Sequence, residues 1–400
     1  MQKPTVLFPY VEAGMGHIVP MRAIAKKFKE LYGDKVICRE INFYTSGGAE
    51  ELILFEERMK QSVVKQNVNH LFGFMMTNAM QIFGAKISTA ASAHCLKINA
   101  CKAAVKYMDE LAPDLVFSTH WSTNYFAAKC KTKPLTALYC PDVALYPIFE
   151  YPCDLTLTPT RYGYEKALKK KRRYNGQNLK YAMTAIDDNA FFIPDDKERA
   201  RRELGLTPDK FTVLFAEGGY GIGKCGEICR RIIERDLPVT MIAICGTNEK
   251  LFEELSHLKT EKNSELKLTK FTDRMQHYFA ASDLFCGKSG GNVMSEATFA
   301  GVPQIITKYA SGIEKMNGKY YEKEIKTAIK IFSPKKVVSA IESFAAEPEK
   351  LSPLRDAAIL QRENYGAERS AKLIFELLCT RFPELKESDK RVSDIKLKAI

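Results

Sequence analysis

Residues 283–321 read DLFCGKSGGNVMSEATFAGVPQIITKYASGIEKMNGKYY, and the order of residue types in this stretch decides the fold. Leu284-Phe285-Cys286 is an apolar run of the kind that ends a buried strand. Ser289-Gly290-Gly291 breaks it ahead of a helical pattern carrying Met294, Ala297 and Phe299. A glycine turn that opens a helix leaves the first backbone N–H groups unpaired and pointed at one place, and the helix dipole adds partial positive charge there. An anion such as a phosphate fits that place. Glu296, one turn further on, is too near the positive end to be a phosphate contact, but its carboxylate can accept hydrogen bonds from two ribose hydroxyls. The next strand, residues 303–307, leads into a loop with Glu314 and Asn317, whose polar groups suit sugar hydroxyls. A plainer reading of the same residues, a strand-loop-helix unit with a solvated helix face, stays open at this point.

The rest of the chain supplies the setting. Its 400 residues are enough for two domains with separate cores, and an apolar fraction of 46% is ordinary for a folded globular protein. The beginning, MQKPTVLFPYVEAGMGH, runs at once into a strand pattern and a glycine turn, so no secretory signal is expected. No apolar stretch reaches the roughly 18 residues of a transmembrane helix. The eleven cysteines are scattered, and the closest pair, Cys225 and Cys229, has no partners at zinc spacing, which suggests reduced thiols in a cytosolic protein. A net charge of +12 favours nucleic acid, anionic lipid or an anionic small substrate as partner, without choosing among them.

In chain order, residues 5–10 read as a first buried strand. A glycine turn containing Glu12 and Gly14-Met15-Gly16-His17 follows, then a helix with Ile18, Met21, Ile24, Ala25 and Phe28 on one face, then a strand over residues 35–43. This is the opening of a doubly wound α/β domain. Residues 50–108 read as mainly helical and include a Met- and Phe-rich patch, Leu71-Phe72-Gly73-Phe74-Met75-Met76 with Ile82-Phe83, which fits a core helix pair, an acceptor cleft or a surface that dips into lipid. Strand character returns at residues 115–119 and 135–138. The basic run Lys166, Lys169, Lys170, Lys171, Arg172 and Arg173 suits a solvated helix face or anionic headgroups.

A polar segment with Pro194 and Pro208 reads as a hinge, placing an N-terminal domain at residues 1–184, the hinge at 185–209 and a second domain at 210–375. In the second domain a strand at residues 211–215 leads to Gly218-Gly219-Tyr220-Gly221-Ile222-Gly223, repeating the opening motif, and further strands are expected at 239–245 and 266–269. After Pro334 only helix is expected, ending in a helical tail at residues 376–400. The fold class is therefore α/β, with two tandem Rossmann-like domains.

The chemistry narrows next. Gly14-Met15-Gly16-His17-Ile18-Val19 misses the dinucleotide fingerprint because Val19 stands at its third glycine, which argues against a dehydrogenase. His17 falls on the first turn of a helix, where the dipole disfavours the imidazolium, so a neutral ring can act as general base. Glu12, Asp142 or His120 could orient it. No Asp-x-Asp pair suited to a divalent ion is present, so neither a metal nor another cofactor is expected, and helix ends with Lys288 would stabilise a departing diphosphate instead. No nucleophile elbow and no basic motif with interleaved aromatics point to a hydrolase or to nucleic-acid binding.

These residues resemble the inverting glycosyltransferases of the GT-B architecture, in particular the monogalactosyldiacylglycerol synthases and the bacterial processive diacylglycerol glucosyltransferases. The lipid-linked N-acetylglucosamine transferase of peptidoglycan synthesis is a more distant relative. The resemblance covers most of the chain and is strongest over residues 211–317. It rests on the turn ending in Gly16-His17, the glycine loop to Gly223, Cys245-Gly246-Thr247-Asn248, the loop Phe271 to Met275, Ser289-Gly290 with Glu296, and Gly312 to Asn317. One departure is Ile313, where the family has a glutamine beside the donor sugar; another is Ala185-Ile186-Asp187, which lacks the usual glycine or proline turn.

The resemblance implies an active site in the cleft between the domains, and metal-independent transfer of a hexose from UDP-glucose or UDP-galactose to a lipid hydroxyl, with diacylglycerol as acceptor. His17, with Glu12 and Asp142, would form the catalytic group. Gly16, Gly219, Gly221, Gly223, Phe271, Met275, Lys288, Ser289, Gly290, Gly291, Glu296, Glu314 and Asn317 would hold the donor. The protein would work at an anionic membrane surface, peripherally on the cytoplasmic face. A soluble or polyprenyl acceptor, or a catalytically silent UDP-sugar-binding regulator, is the alternative.

Overall fold

The computed structural model describes residues 3–12, 14–96, 98–170, 173–187, 197–260 and 262–386. Two six-stranded, wholly parallel sheets organise it. The first contains β1 (Thr5–Tyr10), β2 (Ile37–Asn42), β3 (Leu115–Ser118), β4 (Leu135–Tyr139), β5 (Leu155–Thr158) and β6 (Leu179–Tyr181), in the order β2-β1-β3-β4-β5-β6. The second contains β7 (Phe211–Ala216), β8 (Val239–Ile244), β9 (Glu265–Thr269), β10 (Leu284–Lys288), β11 (Gln304–Lys308) and β12 (Ala328–Lys330), in the order β12-β11-β10-β7-β8-β9. Its strand order turns back between β7 and β10, the switch point where doubly wound sheets bind ligands.

The central strands are apolar on both faces because helices cover both sides of a parallel sheet; β7 and β8 are buried throughout. Helix Met15–Tyr32 buries Ile18, Met21, Ile24, Ala25 and Phe28, the face its periodicity marks. The short strands β5, β6 and β12 went unread in the sequence, since three or four residues are too few to show a period. Cys225 and Cys229 lie side by side in the second core with their sulfurs 3.8 Å apart.

The domain limits differ from those expected. Helix Lys197–Glu203 belongs to the second domain, where the buried Arg201 guanidinium donates to Ala281 O and pairs with Asp283. Ala185 is part of the first core. The expected hinge at 185–209 therefore shrinks from both ends, and its residues 188–196 lie outside the described residues. The boundary at 375 falls inside helix Glu368–Leu378, which crosses back: Ala371, Ile374, Phe375 and Leu378 complete the first core, and Phe375 stacks on Tyr32 at 3.8 Å. The two crossings pair with each other, Thr184 N–H donating to Asn364 O at 3.0 Å and Gly366 N–H to Thr184 O at 2.9 Å. Of the expected tail, residues 387–400 lie outside the described residues.

Between β2 and β3 the first domain replaces a simple crossover with helices Glu50–Val68, His70–Leu96 and Ile98–Leu111. The middle one breaks at Gly84, whose φ of 72° a side chain would resist. It carries exposed apolar side chains: Leu71 and Ile82 are about 80% exposed, and Met75, Phe83 and Ile87 are also exposed, as is Val68 at the end of the preceding helix. The patch is thus a surface and not a core helix pair.

Candidate active site

A cavity of about 530 Å³ opens between the domains at the carboxyl ends of β1, β7 and β10. Met15, Gly16 and Val19 form its first-domain wall; Gly218, Gly219, Gly246, Phe271, Met275, Gly290, Gly291 and Glu296 line the second-domain side. Helix Gly291–Ala300 starts here with no side-chain cap, so its first N–H groups are available to an anion. Asn292 reaches across to donate to Met15 O at 2.8 Å. Glu296, one turn deeper, has no hydrogen-bond or ion-pair partner among the described residues, and burial pushes its carboxyl up to about 8. A carboxyl held so dry without donors is suited to accept hydrogen bonds from ligand hydroxyls.

The glycine loop after β7 divides into two parts. Gly218, at φ 75°, and Gly219 face the cavity. Gly221 and Gly223 do not line it: a Cβ on Gly221 would collide with Cys245 O, and one on Gly223 with the buried Glu217 carboxylate. Their smallness lets the loop lie on the turn after β8, where Thr247 N–H donates to Gly219 O at 2.8 Å and Asn248 Nδ2 to Gly221 O at 2.9 Å.

Four more expected donor residues do not line the cavity: Lys288 and Asn317 are engaged across the domain contact, Ser289 and Glu314 within the second domain. Lys288 is buried, donates to Asn67 Oδ1 from the first domain and stands 3.8 Å from Glu314 Oε1; Lys308 also reaches Asn67, through its carbonyl, at 3.3 Å. Ser289 donates to Glu314 O at 2.7 Å, and Glu314 Oε2 accepts from Ala310 N–H. Asn317, fully buried, donates to Asp142 Oδ1 at 2.7 Å and accepts from Val143 N–H at 3.2 Å. The expected sugar contacts of Glu314 and Asn317 are thus taken up by the protein itself. Ile313 packs against the first domain's core, in place of a polar contact to a sugar.

His17 is the third residue of helix Met15–Tyr32, and its ring lies at 5.9 Å over Phe149 and edge-on to His120 at 4.7 Å. Its Nδ1 is 2.8 Å from Thr119 O. A carbonyl only accepts, so Nδ1 carries the proton and Nε2 keeps its lone pair. Burial pushes the imidazole down to about 4, outweighing the upward pull of Thr119 O. None of the three expected partners makes this bond. Glu12 turns away to pair with Lys60 at 3.0 Å, Asp142 is held by Asn317, and His120 bonds through Nδ1 to Ser122 Oγ at 2.7 Å, itself the acceptor of the Tyr44 hydroxyl. Thr119 carried no sequence signal, because its part is played by the backbone.

Two surface features separate. In the basic run, Lys170 and Arg173 neutralise the buried Glu150, a structural use of charge, while Lys171 and Arg172 lie outside the described residues. The apolar patch, by contrast, sits in the run from Arg58 to Met108, which contains seven lysines and arginines and no Asp or Glu. That acid-free run was a legible sign of an anionic partner. No helix among the described residues is long and apolar enough to cross a membrane.

The whole chain shares its fold with solved structures of low identity. Acinetobacter baumannii MurG covers 94% of this chain and 100% of its own, at TM-score 0.54 and 12% identity. Anabaena Alr3699/HepE in complex with UDP and glucose covers 94% and 99%, at 0.56 and 14%. The UDP-GlcNAc 2-epimerase of Neisseria meningitidis bound to UDP-GlcNAc covers 95% and 100%, at 0.58 and 12%. The architecture is accordingly GT-B: two Rossmann-like domains around a cleft.

Within it, residues 196–361 match the family described as Glycosyl transferases group 1. Curated relatives include the processive diacylglycerol beta-glucosyltransferases of Bacillus subtilis (strain 168), 30% identical over 38% of this chain and 40% of that protein, and of Staphylococcus saprophyticus, 28% identical over 50% and 51%. The chain spans about half or less of the length of these relatives. The resemblance read from the motifs thus holds, and the group 1 match lies in the second domain.

Proposed function

We propose that this protein is an inverting, metal-independent glycosyltransferase that moves a hexose from UDP-glucose or UDP-galactose to the hydroxyl of a lipid, with diacylglycerol as acceptor. One observation carries the reading: a neutral His17, its Nε2 lone pair kept, directly follows Met15 and Gly16 of the cleft's first-domain wall, and the second-domain wall holds a helix N-terminus and the unpartnered Glu296. Glu296 accepts from the ribose hydroxyls, Phe271 and Met275 border the uracil, and the N–H groups at Gly291 and Asn292 meet the diphosphate. Lipid hydroxyl attack on the anomeric carbon, opposite the departing UDP, transfers the hydroxyl proton to His17 Nε2, while the leaving charge settles on the helix N-terminus. Relatives named as diacylglycerol glucosyltransferases, and a structural neighbour that binds UDP and glucose, support the same acceptor and donor.

The exposed patch around Leu71, Ile82 and Phe83, in its acid-free stretch, seats the protein peripherally on an anionic membrane at the cytoplasmic face. UDP release from each donor, with and without diacylglycerol in anionic mixed micelles, tests the proposal. Lipid-dependent release from one donor supports it. Tight UDP binding with no release on any lipid would replace it with the silent binder, a reading favoured by the commitment of Glu314 and Asn317 to bonds within the protein.

A further inference from the structure

Another cavity, of about 270 Å³, lies where the chain crosses between the domains, and it shares no lining residue with the donor cleft. The first domain contributes Arg161, Tyr162, Glu165 and Tyr181, the second Tyr320, Glu324 and Tyr365, and the paired crossing residues Thr184 and Asn364 also line it. The rings of Tyr162 and Tyr320 meet across the domains with centroids 5.5 Å apart. These walls already draw the chain's own cations: Arg161 lies 5.1 Å over Tyr181 and Lys166 5.5 Å over Tyr162. The charged lining is acidic in balance, two carboxylates against the one guanidinium of Arg161. Neither the Glu165 nor the Glu324 carboxylate has an ion-pair or hydrogen-bond partner among the described residues. A rare local form brings the second-domain wall into place. Residues Tyr320–Glu324 make one π-helical turn, closed by Ile325 N–H donating to Tyr320 O at 3.1 Å, and Tyr320, Glu324 and Ile325 all line the cavity. Such turns recur at functional sites.

We propose that this cavity binds an aliphatic diamine or polyamine, one ammonium held by Glu165 and another by Glu324, with the methylene chain laid on the Tyr162 and Tyr320 rings. Aromatic walls alone would suit a quaternary ammonium, which has no N–H to donate. Carboxylates alone would suit a metal ion, but no group of three or more carboxylate, thiol or imidazole side chains converges among the described residues. A single ammonium would match only one of the two carboxylates. A diamine satisfies the rings and both acids at once, and it joins the two domains at their crossing. Cavities between domains are a common place for small ligands. Binding here is independent of transfer in the cleft and is measured without donor.

Putrescine titrated into the full chain at low salt is expected to bind saturably in calorimetry. On a chain of net charge +12 a cation meets no general attraction, so saturation marks a local site. The Glu165→Gln/Glu324→Gln variant, altered only at exposed positions, is expected to bind putrescine about tenfold more weakly, as loss of two exposed ion pairs implies. Butylamine, with the same carbon chain and one ammonium, is expected to bind the unaltered protein about threefold to tenfold more weakly than putrescine. Equal titrations of both proteins, or no saturable response, would remove the site. Butylamine binding as tightly as putrescine would remove the bridge between the carboxylates, and tetramethylammonium binding more tightly than either would replace the diamine with a quaternary ammonium. An unchanged melting temperature checks that the variant is folded.

Discussion

The two domains are built on one plan and have departed from it to different degrees. The second keeps the full doubly wound order, with its cavity at the switch point between β7 and β10. The first gives up the outer part of that order for helices Glu50–Val68, His70–Leu96 and Ile98–Leu111, which carry the exposed apolar patch and the acid-free run. A nucleotide is the same for every donor, so the half that holds it can stay close to a common form. In the proposed reaction the first half meets the acceptor and has to fit its particular partner, and there the chain has been rebuilt.

The largest expected effect separates chemistry in the first half from binding in the second. His17→Ala should lower turnover by about two to four orders of magnitude with UDP affinity within twofold, as loss of a general base implies. Retained turnover would place the base elsewhere. Glu296→Ala should show the converse pattern, UDP binding weakened by roughly tenfold to a hundredfold in calorimetry, as loss of two hydrogen bonds of about 0.5–1.5 kcal/mol each implies. Unchanged affinity would end the ribose assignment. Next in size, Leu71→Asp with Ile82→Asp should reduce sedimentation with anionic liposomes by about tenfold while UDP binding is kept; undiminished sedimentation would assign membrane contact to another surface.

This contrast also explains what could be read in advance. Strands such as Phe211–Ala216 and the turn Ser289-Gly290-Gly291 announce themselves because burial and backbone geometry restrict which residues serve there. Glu296, Phe271 and Met275 were found in the cavity because they follow that turn and the loop after β9 at short range. Glu314, Asn317, Gly221 and Gly223 do not line the cavity, for the opposite reason. Asn317 and Gly221 meet partners distant in sequence, Asp142 and Cys245, while Glu314 and Gly223 turn to nearby Ala310 and Glu217, and a polar residue looks the same in sequence whether it faces a ligand or the protein itself. The carbonyl of Thr119 was beyond reach, since any residue type carries one.

The pH profile offers a finer division. His17 is held near 4 in the fold against an ordinary value of 6.5, so the base stays neutral and kcat/KM should keep its value as pH falls through 6.5, declining only toward 4. The same displacement means that the unfolded chain takes up this proton first. The stability linked to His17 is full above 6.5 and is lost progressively as pH falls toward 4. Asp142, raised to about 6 by burial despite its bond from Asn317, would add an acid limb near 6 if its ionised form were needed in turnover. A single limb near 4 leaves Asp142 as a structural link.

Asn317→Ala then tests that link directly and is the smallest effect expected. The substitution strips the Asp142 carboxylate of its amide donor and leaves Val143 N–H without an acceptor, both at the contact between the domains. Unpaired groups of this kind cost about 1–3 kcal/mol. Asn317 does not line the donor cavity, so the cost should fall on stability, as a melting temperature lowered by a few degrees, and UDP-sugar affinity should be unchanged. Asn317→Asp would place a second carboxylate against Asp142 and should destabilise more. If instead affinity for the UDP-sugar falls while affinity for UDP alone and the melting temperature hold, Asn317 contacts the hexose, and the two halves must move apart and re-form around the donor before transfer.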